Sequence, residues 1–241
     1  MQYKSHVTLY DRNFYAKRAE VQKLIGDVFT ALHKMTNHID ENGEEIYTLK
    51  ASVNNDNGVK PLTNQFRRNM EELGWDSEKS FWSKSVDGPG PVDFAMQLSD
   101  GTWFCVEWET GNKSSTNRAV EKLQLGMTDN IISGGILVVA EEEFQKHCTS
   151  GIGSFELCKH YIRKWRRHQD GDFFAIIGFT YDELIDFNHP EYDTFEFIPK
   201  GKDGHASRKQ SVDNIKRAND DANTKLSLKR ANPEALSCIQ Y

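Results

Sequence analysis

Two runs, GGILVVA at 134–140 and DFFAIIGF at 172–179, constrain this chain more than anything else in it. Both are apolar along almost their whole length, so neither has a face to give to water. Strands of that kind belong inside a sheet that is covered on both sides. Helical spacing supplies the cover. Val21, Leu24, Ile25, Val28, Phe29 and Leu32 recur at intervals of three and four, which predicts a helix within 14–36. PLTNQFRRNMEEL predicts another over 62–73, and FQKHC and FELCKHYIRKWRR read as two more. A further helix is expected from about Ser115 to Met127, with Ser114 or Ser115 as its N-cap. Residues 39–60, with ENGEE and NNDNG, are turn-rich, and SKSVDGPGP at 83–91 reads as a loop. The expected fold class is α/β, a central mixed β-sheet flanked by α-helices on both faces. It forms one domain over 1–204, and 205–241 forms a basic, weakly periodic arm. With 37% hydrophobic residues and 14 Phe among 241, the chain has the material for such a core.

Against this pattern, VDFAMQLSDGTWFCVEWETGN at 92–112 is anomalous. Ser99-Asp100-Gly101 has the chemistry of a hairpin turn between strands 92–98 and 102–109. Side chains alternate along a strand, so Glu107 and Glu109 share one face while Phe104, Val106 and Trp108 take the other. Asp93, on the partner strand, can join the two glutamates. Buried together without a cation, three carboxylates cost several kcal/mol each. A hard divalent ion with oxygen ligands would offset that cost. An edge strand with acids on a wet face explains the spacing equally well. The following TGNKSSTNR leads into a helix start, whose free N–H groups attract phosphate, and its Asn, Ser and Arg are side chains that read base edges.

Net charge is −6, yet 159–167 holds five Lys or Arg and no acid, and 198–230 holds nine against four Asp. Local basic surface on an acidic chain can meet nucleic-acid phosphate. The four cysteines form no CxxC pair and read as free thiols in a reducing compartment. No apolar run approaches the ~18 residues of a membrane span. The N-terminus has no signal-type stretch. A cytoplasmic protein is expected. P-loop, HExxH and GxSxG motifs are missing from the sequence.

GPGPVDFAM, then VEWETGNKSSTNRAVEKLQLGM, then IIGF and IPKGKDG resemble the BamHI family of type II restriction endonucleases, over about 54–210. The ETGN-x-SS-x-x-R segment is the specific part. The resemblance implies the restriction-endonuclease fold, a homodimer acting on palindromic double-stranded DNA, and Mg²⁺ as cofactor, with Mn²⁺ able to substitute. In this branch glutamate replaces the lysine of the wider PD…(D/E)xK motif, and here that position is Glu109. Asp93 and Glu107 would hold the metal, Glu78 would be a further acidic ligand, and Glu109 would position or deprotonate the attacking water. Asn112, Ser114 and Arg118 would read bases. Lys113, Lys200, Gly204 and His205 would approach the DNA backbone or minor groove. The family reads its outer base pair with an Asp-Arg pair, but Ser150 and Gly151 stand there in this chain. The resemblance therefore implies a GATC core, with GGATCC as the leading site, and 5′-phosphate and 3′-hydroxyl ends on a four-base 5′ overhang. A cognate methyltransferase would be the functional partner. Other readings are a repair or junction-resolving nuclease of the same fold, a DNA-binding relative without catalysis, and a glycosidase with paired carboxylates.

Overall fold

A computed structural model describes residues 1–51, 57–82, 88–148, 152–167 and 170–195. The expected loop at 83–91 and turn-rich stretch at 39–60 are covered only in part. Ser150, Gly151, Lys200, Gly204, His205 and the whole arm lie outside the described residues.

The chain opens with β1 (Gln2–Asp11), a kinked 3₁₀ segment (Arg12–Lys17) and α1 (Ala19–His33). Three short strands follow: β2 (His38–Ile39), β3 (Glu45–Ile46) and β4 (Thr48–Lys50). Next come α2 (Lys60–Glu72), β5 (Asp76–Lys79), β6 (Val92–Gln97) and β7 (Trp103–Glu109). The rest is α3 (Lys113–Thr128), β8 (Ile132–Ala140), the single-turn α4 (Glu142–Gln145), α5 (Phe155–Trp165), β9 (Phe173–Thr180) and β10 (Glu183–Ile185).

Six strands form one mixed sheet in the order β1-β9-β8-β7-β6-β5. β7, β8 and β9 run parallel, and β1, β6 and β5 join antiparallel. The parallel trio needs crossovers, which α3 and α5 supply. Every residue of β8 and β9 is buried, as their unbroken apolar runs require. α1 and α2 cover one face with Val21, Phe29, Leu62 and Phe66 against Phe104, Val106 and Trp108. α3 and α5 cover the other with Val120, Leu123, Phe155 and Trp165 against Cys105, Leu137, Val139 and Ile176. The expected mixed sheet with helices on both faces is therefore what forms.

The hairpin between β6 and β7 closes as the turn chemistry predicts. Leu98 N donates to Thr102 O at 2.8 Å, and Gly101 takes φ +87°, the left-handed region that glycine enters at little cost. The sequence does not single out β1, because its half-exposed edge position lets polar residues alternate irregularly. α4 is shorter than FQKHC suggested, and α3 begins two residues earlier than expected, capped by Asn112 rather than by a serine. Cys105, Cys148 and Cys158 are free and buried. Burial pushes the thiols of Cys148 and Cys158 up to about 12, so they are inert packing groups.

Candidate active site at the β7–α3 junction

β7 carries two chemistries on one backbone. Its Trp108 is stacked between Phe66 at 4.3 Å and Phe179 at 4.6 Å, which anchors the strand. Glu107 and Glu109 point to the opposite face, beneath α3, and are only 3% and 7% exposed. The wet-edge explanation of these acids fails, because β7 is an interior strand and both side chains are buried. Asp93, on β6, reaches across the hairpin and accepts the backbone N–H of Trp108 at 2.8 Å, between the two glutamates. Its own N–H lies 3.4 Å from Glu107 Oε1.

Each acid rests on a partner from the chain. Glu107 is gripped by Lys122 of α3, whose Nζ lies 2.8 Å from Oε1 and 2.9 Å from Oε2. Glu109 accepts the hydroxyl of Ser115 at 2.8 Å and the N–H of Gly111. A Cβ at Gly111 would sit 2.7 Å from Glu109 Oε1 and 2.6 Å from Ser115 Oγ. A larger residue here would force the Glu109 carboxylate or the Ser115 hydroxyl to shift. Glu78 on β5 pairs with Arg67 of α2. It adopts φ +53°, and the β5–β6 register steps over it, pairing Ser77 with Phe94 and Lys79 with Val92. A non-glycine residue held left-handed marks a constrained position, and here the constraint accompanies an acid whose charge acts on Asp93.

The electrostatics reflect crowding in a dry place. Burial, then the charge of Asp93, pushes Glu107 up to about 8 against the pull of Lys122. Burial also raises Asp93, opposed by the Trp108 N–H, and raises Glu109, opposed by Ser115 and Gly111. Carboxylates that resist ionisation side by side call for a cation.

Directly above them α3 begins. Asn112 Oδ1 accepts the N–H groups of Ser114 at 3.0 Å and Ser115 at 3.1 Å. Asn112, Lys113, Ser114 and Arg118 are all exposed, so the first turns face solvent while Ala119, Val120 and Leu123 enter the core. A buried acid cluster thus lies under an exposed, polar helix start.

Comparison with known proteins agrees. The family model for restriction endonuclease BamHI matches residues 1–205. The chain belongs to the BamHI family of type II restriction endonucleases. The type II restriction enzyme OkrAI of Oceanobacter kriegii is 34% identical over 157 residues, spanning 65% of this chain and 77% of the relative. BamHI of Bacillus amyloliquefaciens is 27% identical over 168 residues, spanning 67% and 74%. The crystal structure of restriction endonuclease BglII complexed with a DNA 16-mer superposes with a TM-score of 0.54 at 12% identity, covering 76% of this chain and 79% of that one. It supports the restriction-endonuclease fold.

Within this family frame, the structure gathers Asp93, Glu107 and Glu109, with Glu78 alongside, and sets Asn112, Lys113, Ser114 and Arg118 on the neighbouring helix start. Carboxylate oxygens suit a hard divalent ion. Among the described residues no three acids, cysteines or histidines converge ready-made on one point, because each acid is turned toward its own partner. The donor chemistry fits a metal, and the side chains must re-aim to hold it. Pattern reasoning missed Lys122 and Arg67. The signal for Lys122 was present: on α3 it falls between Ala119 and Leu123, where a core-facing lysine needs an anion.

Proposed function

We propose that this restriction endonuclease makes Mg²⁺-dependent double-strand cuts at a palindromic site with a GATC core, GGATCC first among candidates, leaving 5′-phosphate and 3′-hydroxyl ends. The observation that carries this reading is the burial of Glu107 and Glu109, beside Asp93, directly beneath an exposed helix start rich in Asn, Ser and Arg. Asp93 and Glu107 would hold the ion, with Glu78 a further ligand at the rim. When bound, Mg²⁺ lowers the pKa of a coordinated water and neutralises charge developing at the phosphate. Glu109, kept in place by Ser115 and Gly111, is set to orient the attacking water and accept its proton. Arg118 can make two hydrogen bonds to guanine O6 and N7, with Asn112 and Ser114 beside it. Lys113, and outside the described residues Lys200, Gly204 and His205, would meet the backbone and minor groove. Ser150 and Gly151 stand where the family reads its outer base pair with charged side chains, so that pair is the least constrained part of the site.

A palindrome requires two copies of the chain related by a two-fold axis, so the acting species is a homodimer. A methyltransferase protects host DNA in the cytoplasm. No helix among the described residues is long and apolar enough to cross a membrane. The test is incubation of purified protein with unmethylated plasmid DNA in Mg²⁺, Mn²⁺ or EDTA, followed by sequencing of the ends. Discrete metal-dependent fragments sharing a GATC core are expected. DNA left uncut under every metal would overturn the reading.

A further inference from the structure

Lys122 is 9% exposed and lies one helical turn beyond Arg118 on α3. Its ammonium has three protons, and three acceptors surround it: Glu107 Oε1 at 2.8 Å, Glu107 Oε2 at 2.9 Å and the Pro91 carbonyl at 2.6 Å. Pro91 lies two residues before Asp93. One side chain therefore ties together the acid of β7, the entry to the strand that carries the other acid, and the helix whose first turns are exposed.

We propose that Lys122 is a positioning residue that stands in for the divalent ion at Glu107, holding both carboxylate oxygens until an ion takes one of them. The proposal rests on the metal-nuclease reading above. Three considerations carry it. A buried carboxylate needs a counter-charge whether or not a metal is present, and among the described residues Lys122 is the cation in contact with Glu107. An ammonium is a compact point charge without a planar fork, so it can release one oxygen and still keep the other and the Pro91 carbonyl. A positive charge about 3 Å from a ligand oxygen opposes the arrival of a second cation. Lys122 thus keeps the acids in register when no ion is bound, at the expense of metal affinity. The other acids are held in parallel, Glu78 by Arg67 and Glu109 by Ser115 and Gly111.

The test is titration of the full chain, without DNA, by Mn²⁺, following free ion by electron paramagnetic resonance. Lys122→Gln, which can still donate to Pro91, is expected to raise Mn²⁺ affinity about tenfold, the scale of one nearby charge. Lys122→Arg, which keeps the charge, should show no such gain, and adding Glu107→Gln to Lys122→Gln should cancel it. Melting in Mn²⁺ against EDTA covers a variant too unstable to titrate: Mn²⁺ is expected to raise its melting temperature more than that of the wild type. Mn²⁺ affinity and Mn²⁺-induced stabilisation no greater in Lys122→Gln than in the wild type would overturn the role. If the wild type nonetheless cuts DNA, only this proposal falls. If the wild type neither cuts DNA nor binds Mn²⁺, both readings fall together.

Discussion

Two strand-to-helix junctions lie side by side at one end of the central sheet. β7 runs into α3, and β8 runs through α4 into α5. They touch: Gly153 N donates to Gly111 O at 2.9 Å, and Asn112 forms a β-bridge with Ile152. Both helices start on a side-chain cap, Asn112 in one and Ser154 in the other. Glu107 and Leu137 occupy paired positions on the adjacent parallel strands. Both are buried, at 3% and 0% exposure, yet one is a carboxylate and the other a hydrocarbon. The difference comes from what each helix delivers. α5 brings Phe155, Cys158 and Trp165 to an apolar face, whereas α3 brings Lys122 and Ser115 to the acids. The same local architecture therefore builds an apolar core at one junction and a cluster of partnered acids at the next.

The sharpest way to break this comparison is to truncate the paired positions. Glu107→Ala is expected to lower the cleavage rate more than about 10³-fold, because a lost ligand forfeits several kcal/mol of metal-based stabilisation. Specific binding of unmethylated DNA should survive, since the base contacts proposed for this chain lie on α3. Leu137→Ala should do the reverse, costing about 2–5 kcal/mol of stability by urea melting while the folded fraction cuts normally. If both variants lose activity only in proportion to stability, the two junctions do not differ in function.

A smaller effect is expected one turn up. Arg118→Ala should weaken specific binding by about 1–3 kcal/mol and leave competition by non-specific DNA almost unchanged. Equal weakening of both, measured by filter binding at fixed salt, would reduce Arg118 to a phosphate contact.

The caps give a matched pair of still smaller changes. Asn112→Ala and Ser154→Ala should each cost about 1 kcal/mol of stability. Only the first should also blur the preference for the cognate site in a cleavage assay on single-base variants.

The mildest effect is a slope with pH. Glu107 has its folded pKa raised from 4.5 to about 8, so the native state holds this proton more tightly than the unfolded chain does. Its contribution is fully present below about 4.5 and is lost as pH rises toward about 8. In EDTA, Glu107→Gln should therefore melt with a shallower decline over that window than the wild type. Parallel slopes would show that folding does not raise the pKa of Glu107 across this window.

Much of this was legible in one dimension. Continuous apolar runs require a two-sided interior, so β8 and β9 could be read directly. Alternation along 103–109 separates Glu107 and Glu109 from Trp108 in any strand, because successive side chains point to opposite faces. ETGN followed by SS and Arg118 carried the family resemblance, and its glycine has a reason visible only in space: a Cβ there would crowd the Glu109 carboxylate and the Ser115 hydroxyl. Less legible were elements whose pattern is weak by nature. β1 is a half-exposed edge, and the start of α3 shifted because Asn112 sat two residues nearer the strand than the serines.

The sequence by itself determined the four inner strands of the sheet, the faces of β7 and the kind of helix that follows it, since these depend on periods of two and 3.6 and on local turn chemistry. Only the tertiary structure decided what neutralises the acids. Lys122 lies 15 residues from Glu107 and Arg67 lies 11 from Glu78. Such pairings depend on how α3 and α2 lie across the sheet: the position of Lys122 on α3 signals that it needs an anion, but no local pattern says which.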